Sequence, residues 1–93
     1  MKAVLKKQIE EMTEVELKEV LQRDYLRRLN RYRMTDDLYR KKYGMDFESF
    51  EKANIVGRQN YTFEVESDAQ EWELTIDGIK TIEKKLKELS SEN

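Results

Sequence analysis

No proline interrupts this chain, and glycine occurs at only three positions, 44, 57 and 78. Proline removes an amide donor and clashes with the preceding turn, so its absence lets a helix run as far as its caps and apolar stripe allow. Lys, Glu and Arg, all good helix formers, supply much of the remainder. The expected fold is mainly α, with two longer amphipathic helices over about 14–33 and 68–89 and short helices between them. In the first, Thr13-Glu14-Val15-Glu16 forms a capping box. Leu17, Leu21, Tyr25, Leu29 and Tyr32 then fall in one stripe about 120° wide. In the second, Ser67-Asp68-Ala69-Gln70 reads as the opening capping box. Ala69, Trp72, Ile76, Ile79, Ile82, Leu86 and Leu89 follow at helical spacing.

Between these helices, Thr35 or Asp36 is expected to cap a short helix through Tyr43, stopped by Gly44. Asp46 caps another from Phe47 to about Asn54, and Gly57 and Asn60 bracket a loop. Upstream of Thr13, Leu5, Ile9 and Met12 make a second stripe on the opposite side of the wheel. Residues 1–12 are therefore either a separate N-terminal helix or arm, or the start of one long helix serving two partners. The 93 residues form one small helical domain, or a hairpin that needs a partner.

The core is expected to be thin. Leu, Ile, Val and Phe make up 22 of 93 residues, just above the roughly 20% below which chains stay disordered. Association, with itself or with another protein, is the natural source of further stability in so small a chain. A dimer covering Leu5, Ile9 and Met12 would supply it. The absence of Cys and His removes disulfides, thiolate zinc sites, cysteine nucleophiles and the commonest metal ligand. No phosphate loop, nucleophile elbow or metal-ligand spacing appears, so no cofactor, metal or catalytic residue is assigned. The longest apolar run is Ala3-Val4-Leu5, which rules out a bilayer span and a signal-peptide core and gives a cytoplasmic expectation.

Net charge is only −2, but it is divided. Residues 23–42 sum to +5 and residues 61–93 to −5. Arg23, Arg27 and Arg31 recur every fourth residue, opposite the Leu17/Leu21/Tyr25 stripe. The ordinary reading is a solvated face whose cations answer the acidic C-terminal helix; the functional one is a phosphate-binding stripe. From Gln59 to Ile79 there is no basic residue, against six acids: Glu64, Glu66, Asp68, Glu71, Glu73 and Asp77.

Tyr61-Thr62-Phe63-Glu64-Val65-Glu66 alternates apolar and polar side chains, the pattern of a strand over 61–66. A lone strand leaves its amides and carbonyls without neighbours. Either it pairs with another molecule, as in β-addition, or it is merely extended and packs Tyr61 and Phe63 onto helices. Trp72 is read mainly as core and secondarily as an interface anchor.

The run Lys42-Tyr43-Gly44-Met45-Asp46-Phe47-Glu48-Ser49-Phe50, followed by Glu71-Trp72-Glu73 and a Lys/Glu/Leu-rich helix, resembles a loose group of small archaeal and bacterial antitoxin-like proteins. Those carry a KYGM-S/D-F-E-E-F turn and helix, and they tend to be encoded beside an RNase-like or otherwise toxic partner. The likeness spans about residues 31–89 and transfers a role, not a site. It implies a non-enzymatic protein–protein interaction module that masks the cationic, RNA-facing surface of a co-encoded toxin. Read with the charge pattern, the expected partner-binding residues are Tyr61, Phe63, Glu64, Val65, Glu66, Trp72 and Glu73. The alternatives are a small nucleic-acid-binding regulator using Arg23, Arg27 and Arg31, and a self-assembling helical protein, with a homodimer compatible with each.

Overall fold

The computed structural model describes residues 2–91, and all regular structure among them is helical. Five helices follow one another: α1 (Lys2–Glu11), α2 (Glu14–Tyr43), α3 (Phe47–Lys52), α4 (Ile55–Arg58) and α5 (Phe63–Ser90). Helices α2 and α5 lie antiparallel as a long hairpin, with α3 and α4 folded against the end where the chain turns back. The Cα framework measures 55 × 31 × 16 Å, so the hairpin is a single layer of helix through its thinnest direction.

The first break comes at Thr13, which separates α1 from α2. Its hydroxyl accepts from the Glu16 amide at 3.1 Å and donates to Glu16 Oε1 at 3.0 Å. Helix α1 buries no residue, and Val4, Leu5 and Ile9 are exposed along it.

Helix α2 runs ten residues beyond the expected end near 33 and absorbs the separate short helix expected at 35–43. Thr35 does not cap it: its hydroxyl donates to the Arg31 carbonyl, one turn back, at 3.2 Å. Asp36 does not cap it either, because it lies in the apolar stripe and is buried. Leu29, Tyr32, Asp36, Tyr39 and Tyr43 continue that stripe at alternating spacings of three and four. The helix ends where expected, at Gly44 in the left-handed region (φ 69°), whose amide donates to the Arg40 carbonyl.

The Asp46 cap of α3 is present, its carboxylate accepting from the Ser49 amide at 2.8 Å. That bond from the Ser49 backbone amide, with a smaller contribution from the Ser49 side chain, holds the Asp46 carboxyl below its ordinary pKa. The expected loop after Asn54 instead contains the single helical turn α4, entered and left through three left-handed residues, Asn54, Asn60 and Tyr61.

The strand expected over 61–66 is absent. Thr62 caps α5, its hydroxyl accepting from the Val65 amide, and the chain is helical from Phe63 onward. A helix satisfies its amides within the segment, whereas a lone strand finds no neighbour here. The box at Ser67–Gln70 consequently lies inside α5 and opens nothing.

Candidate functional site

Trp72 organises the closed end of the hairpin. It is fully buried, and the rings of Phe50, Phe47, Tyr39 and Tyr43 surround it at centroid distances of 5.0, 5.3, 5.6 and 5.9 Å. Its indole N–H donates to Asp36 Oδ1 at 2.8 Å, and Arg40 Nε donates to the other oxygen of that carboxylate at 3.0 Å. Phe50 and Val65 complete the core there. Trp72 and Val65, two of the seven residues expected to meet a partner, therefore lie inside the fold and offer no surface.

The acids of the 61–77 segment divide by helix face. On the inner edge, Lys42 Nζ donates to Glu64 Oε1 at 2.8 Å and to Asp68 Oδ2 at 2.5 Å. The Tyr43 hydroxyl also donates to Asp68 at 2.5 Å, and the Tyr39 hydroxyl donates to Glu71 at 2.9 Å. These contacts fix the register of α5 on α2. Burial first, then the hydrogen bonds to Glu71 and Asp68 respectively, push the Tyr39 and Tyr43 hydroxyls up to about 12. For Asp68, burial acts upward but the bonds from Lys42 and Tyr43 outweigh it, leaving the carboxyl below its ordinary value. Glu64 is thus committed to an ion pair within the chain.

What remains exposed forms a different surface. Phe63 is 87% exposed, Leu74 70% and Tyr61 62%. Phe63, Glu66, Gln70, Glu73, Leu74 and Asp77 are all exposed and fall within about 100° of one another around α5. Phe63, Glu66 and Glu73 come from the expected set. Leu74 and Asp77 were missed, although Leu74 is legible as the one apolar residue out of phase with the Ala69/Trp72/Ile76 stripe.

Arg23, Arg27 and Arg31 are exposed and make no ion pair among the described residues. The neighbouring Arg28 pairs with Asp24 at 3.1 Å. The three arginines share the outward side of α2 with Val20, Met34, Leu38 and Lys41, all within about 80°. Met34 is 72% exposed and Leu38 62%, so this stripe is apolar as well as cationic. Tyr25 and Tyr32 point the other way: Tyr32 packs over Gly78, and Lys85 Nζ sits 5.8 Å from the Tyr25 ring.

Among the described residues no group of His, Cys, Asp or Glu is arranged to hold a metal, and no helix is long and apolar enough to cross a membrane. A cleft of about 420 Å³ opens between α3, α4 and α5, lined by Phe50, Ile55, Val56 and Ala69 with Glu51 and Glu73 at its sides. No protein-family model matches the chain, and neither a curated protein nor a solved structure shows significant similarity to it.

Proposed function

We propose that this chain is a non-enzymatic protein–protein interaction module of antitoxin-like type, acting in the cytoplasm, which lays the outer face of α5 on the cationic surface of a protein partner. The carrying observation is the combination on that face of exposed Phe63 and Leu74 with the acids Glu66, Glu73 and Asp77, which make no ion pair among the described residues. Apolar side chains ringed by charge of one sign give both burial and electrostatic selection on docking. The masked surface would be an RNA-facing one, as the resemblance to antitoxin-like proteins implies. Tyr61 extends the face at the corner before α5.

The test is titration of the product of the adjacent gene. Reversing Glu66, Glu73 and Asp77 to Lys should slow association and flatten its salt dependence. Phe63→Ser and Leu74→Ser should mainly speed dissociation. Unchanged kinetics in all these variants would remove α5 from the interface.

A second reading has its own observation, the three solvent-exposed guanidinium groups on α2. On duplex DNA three phosphate contacts give a log–log salt slope of about −3, and Arg→Ala at 23, 27 and 31 should abolish it. Absence of duplex binding at about 50 mM salt, where screening is weak, sinks this alternative.

A further inference from the structure

The cleft between α3, α4 and α5 grades from apolar to charged with depth. Phe50 is buried, Ile55, Val56 and Ala69 are half-buried, and Glu51, Asn54, Gln70 and Glu73 are exposed. Its floor is therefore apolar, and its rim carries two carboxylates and two carboxamides. No cation lines it. Lys52, beside Glu51 in sequence, is held by Glu48 at 2.8 Å. Glu51, Glu73 and Arg58, the last at the end of α4, make no ion pair among the described residues. A second cleft, of about 440 Å³, shares Glu51 and Glu73 but is also lined by Arg40 and Lys80, which offset its acids. Nothing offsets the acids of the first.

We infer that this cleft receives the side chain of an arginine carried by the protein partner. The inference rests on the reading of α5's outer face as a docking surface, and it adds the chemistry of one anchor on that surface. Gln70 and Glu73 belong to both the face and the cleft, so a partner lying along Glu66, Gln70 and Glu73 passes the cleft mouth.

The occupant has to match an apolar floor and an anionic rim at once. A long side chain with a methylene stem and a cationic tip does so, its stem on Phe50, Ile55 and Val56 and its tip at the carboxylates. Arginine fits better than lysine on two counts. Its planar guanidinium presents N–H donors in a fixed fork, matched to the carboxylates of Glu51 and Glu73 and the carboxamide oxygens of Asn54 and Gln70. It is also more weakly hydrated than an ammonium, so moving it from water to a half-apolar site costs less. The cleft volume of about 420 Å³ lies within the range of ordinary ligand sites, roughly 300–1,000 Å³, so one side chain enters without displacing α4.

Two measurements test this. In the first, the isotope-labelled full chain is titrated with N-acetyl-arginine methylamide and followed by its amide chemical shifts. The shifts should saturate and centre on Asn54, Val56, Ala69 and Gln70. The citrulline analogue has the same shape without the charge and should bind about ten-fold more weakly, the loss that goes with one charged hydrogen bond. Glu51→Gln combined with Glu73→Gln should bring the arginine probe down to the citrulline level; both positions are exposed, and circular dichroism melts establish that the variant folds. Absence of a saturable shift at tens of millimolar overturns the inference, as does equal binding of the citrulline analogue or tighter binding of the lysine analogue. Shifts spread evenly over Glu64, Asp68 and Asp77 would show general condensation of cations and overturn it too.

In the second, Glu51→Gln and Ala69→Leu enter the titration of the adjacent gene's product. Glu51 lies on α3, outside the α5 face, and Ala69→Leu fills the cleft without changing charge. Each should speed dissociation about ten-fold. If Ala69→Leu unfolds the chain, Glu51→Gln carries the measurement alone. Unchanged dissociation, with the α5 charge reversals still slowing association, leaves the docking face standing and removes the cleft from it. A partner that ignores the unmodified chain, while the arginine probe still saturates the cleft, does the reverse.

Discussion

The indole N–H of Trp72 donates to Oδ1 of Asp36 at 2.8 Å, placing a carboxylate from the last third of α2 against the most buried side chain of α5. Removing the acceptor leaves a buried donor without a partner. Asp36→Ala should therefore lower stability by about 1–3 kcal/mol, the usual cost of an orphaned buried polar group. Asp36→Asn, which keeps a carbonyl oxygen, should lose less. Urea denaturation of the two variants side by side measures the difference.

Gly78 faces the ring of Tyr32, and a Cβ there would lie 2.6 Å from Cζ and 2.7 Å from Cε2. Helix propensity alone favours Gly78→Ala by about 1 kcal/mol. Crowding against a half-buried ring costs about 1–3 kcal/mol, so the substitution should be neutral to destabilising. In a Tyr32→Ala background the crowding is gone, and the same change should stabilise. A positive coupling in that double-mutant cycle, read from thermal melts, confirms the close approach.

Stability should be flat near neutrality and fall on both flanks. Asp68 has a folded pKa below its unfolded value, so its contribution is present above about 4 and is lost as pH drops through the folded value. Tyr39 and Tyr43 are raised to about 12, so their contribution is complete below about 10, the unfolded value, and is lost as pH climbs to about 12. Urea midpoints across pH should show both limbs. Asp68→Asn should weaken the acid limb, and Tyr39→Phe should weaken the alkaline one.

Phe63 and Trp72 should behave as opposites under truncation. Trp72→Ala empties the centre of the aromatic cluster and should cost about 3–5 kcal/mol, enough to unfold much of the chain. Phe63→Ser, at a position 87% exposed, should change stability by less than about 0.5 kcal/mol. Equal losses in the two variants would contradict the placement of Phe63.

How much of this could be read beforehand varied with how local the signal was. Caps written in three or four adjacent residues, such as Thr13 with Glu16, Asp46 with Ser49, and Gly44 alone, appear where the sequence places them. The mainly α class and the two long helices follow from the stripes. Misplaced elements came from residues whose role depends on a distant partner. Asp36 resembles a cap until Trp72, 36 residues away, supplies a donor for it. Tyr61, Phe63 and Val65 alternate over too short a span to separate a strand from a capped first turn. The deciding signal was Val65, four residues before Ala69 and seven before Trp72, in phase with the core stripe. The candidate surface was half legible: the acids were visible as a run, but which of them look outward depends on Lys42 binding Glu64 and Asp68.

The aromatic packing is concentrated at one end of the hairpin, and this gives the molecule mechanical leverage. Tyr39, Phe50, Val65 and Trp72 clasp the closed end, and Leu29 and Ile82 are the last buried apolar residues toward the other among the described residues. From Tyr39 back to Leu17 is about 33 Å of helix, so a rotation of about 6° at the clasp shifts the far tip by about 3 Å. Beyond Leu29 and Ile82 the two arms meet through more exposed contacts, such as Lys85 over the Tyr25 ring, so little burial resists such a rotation there.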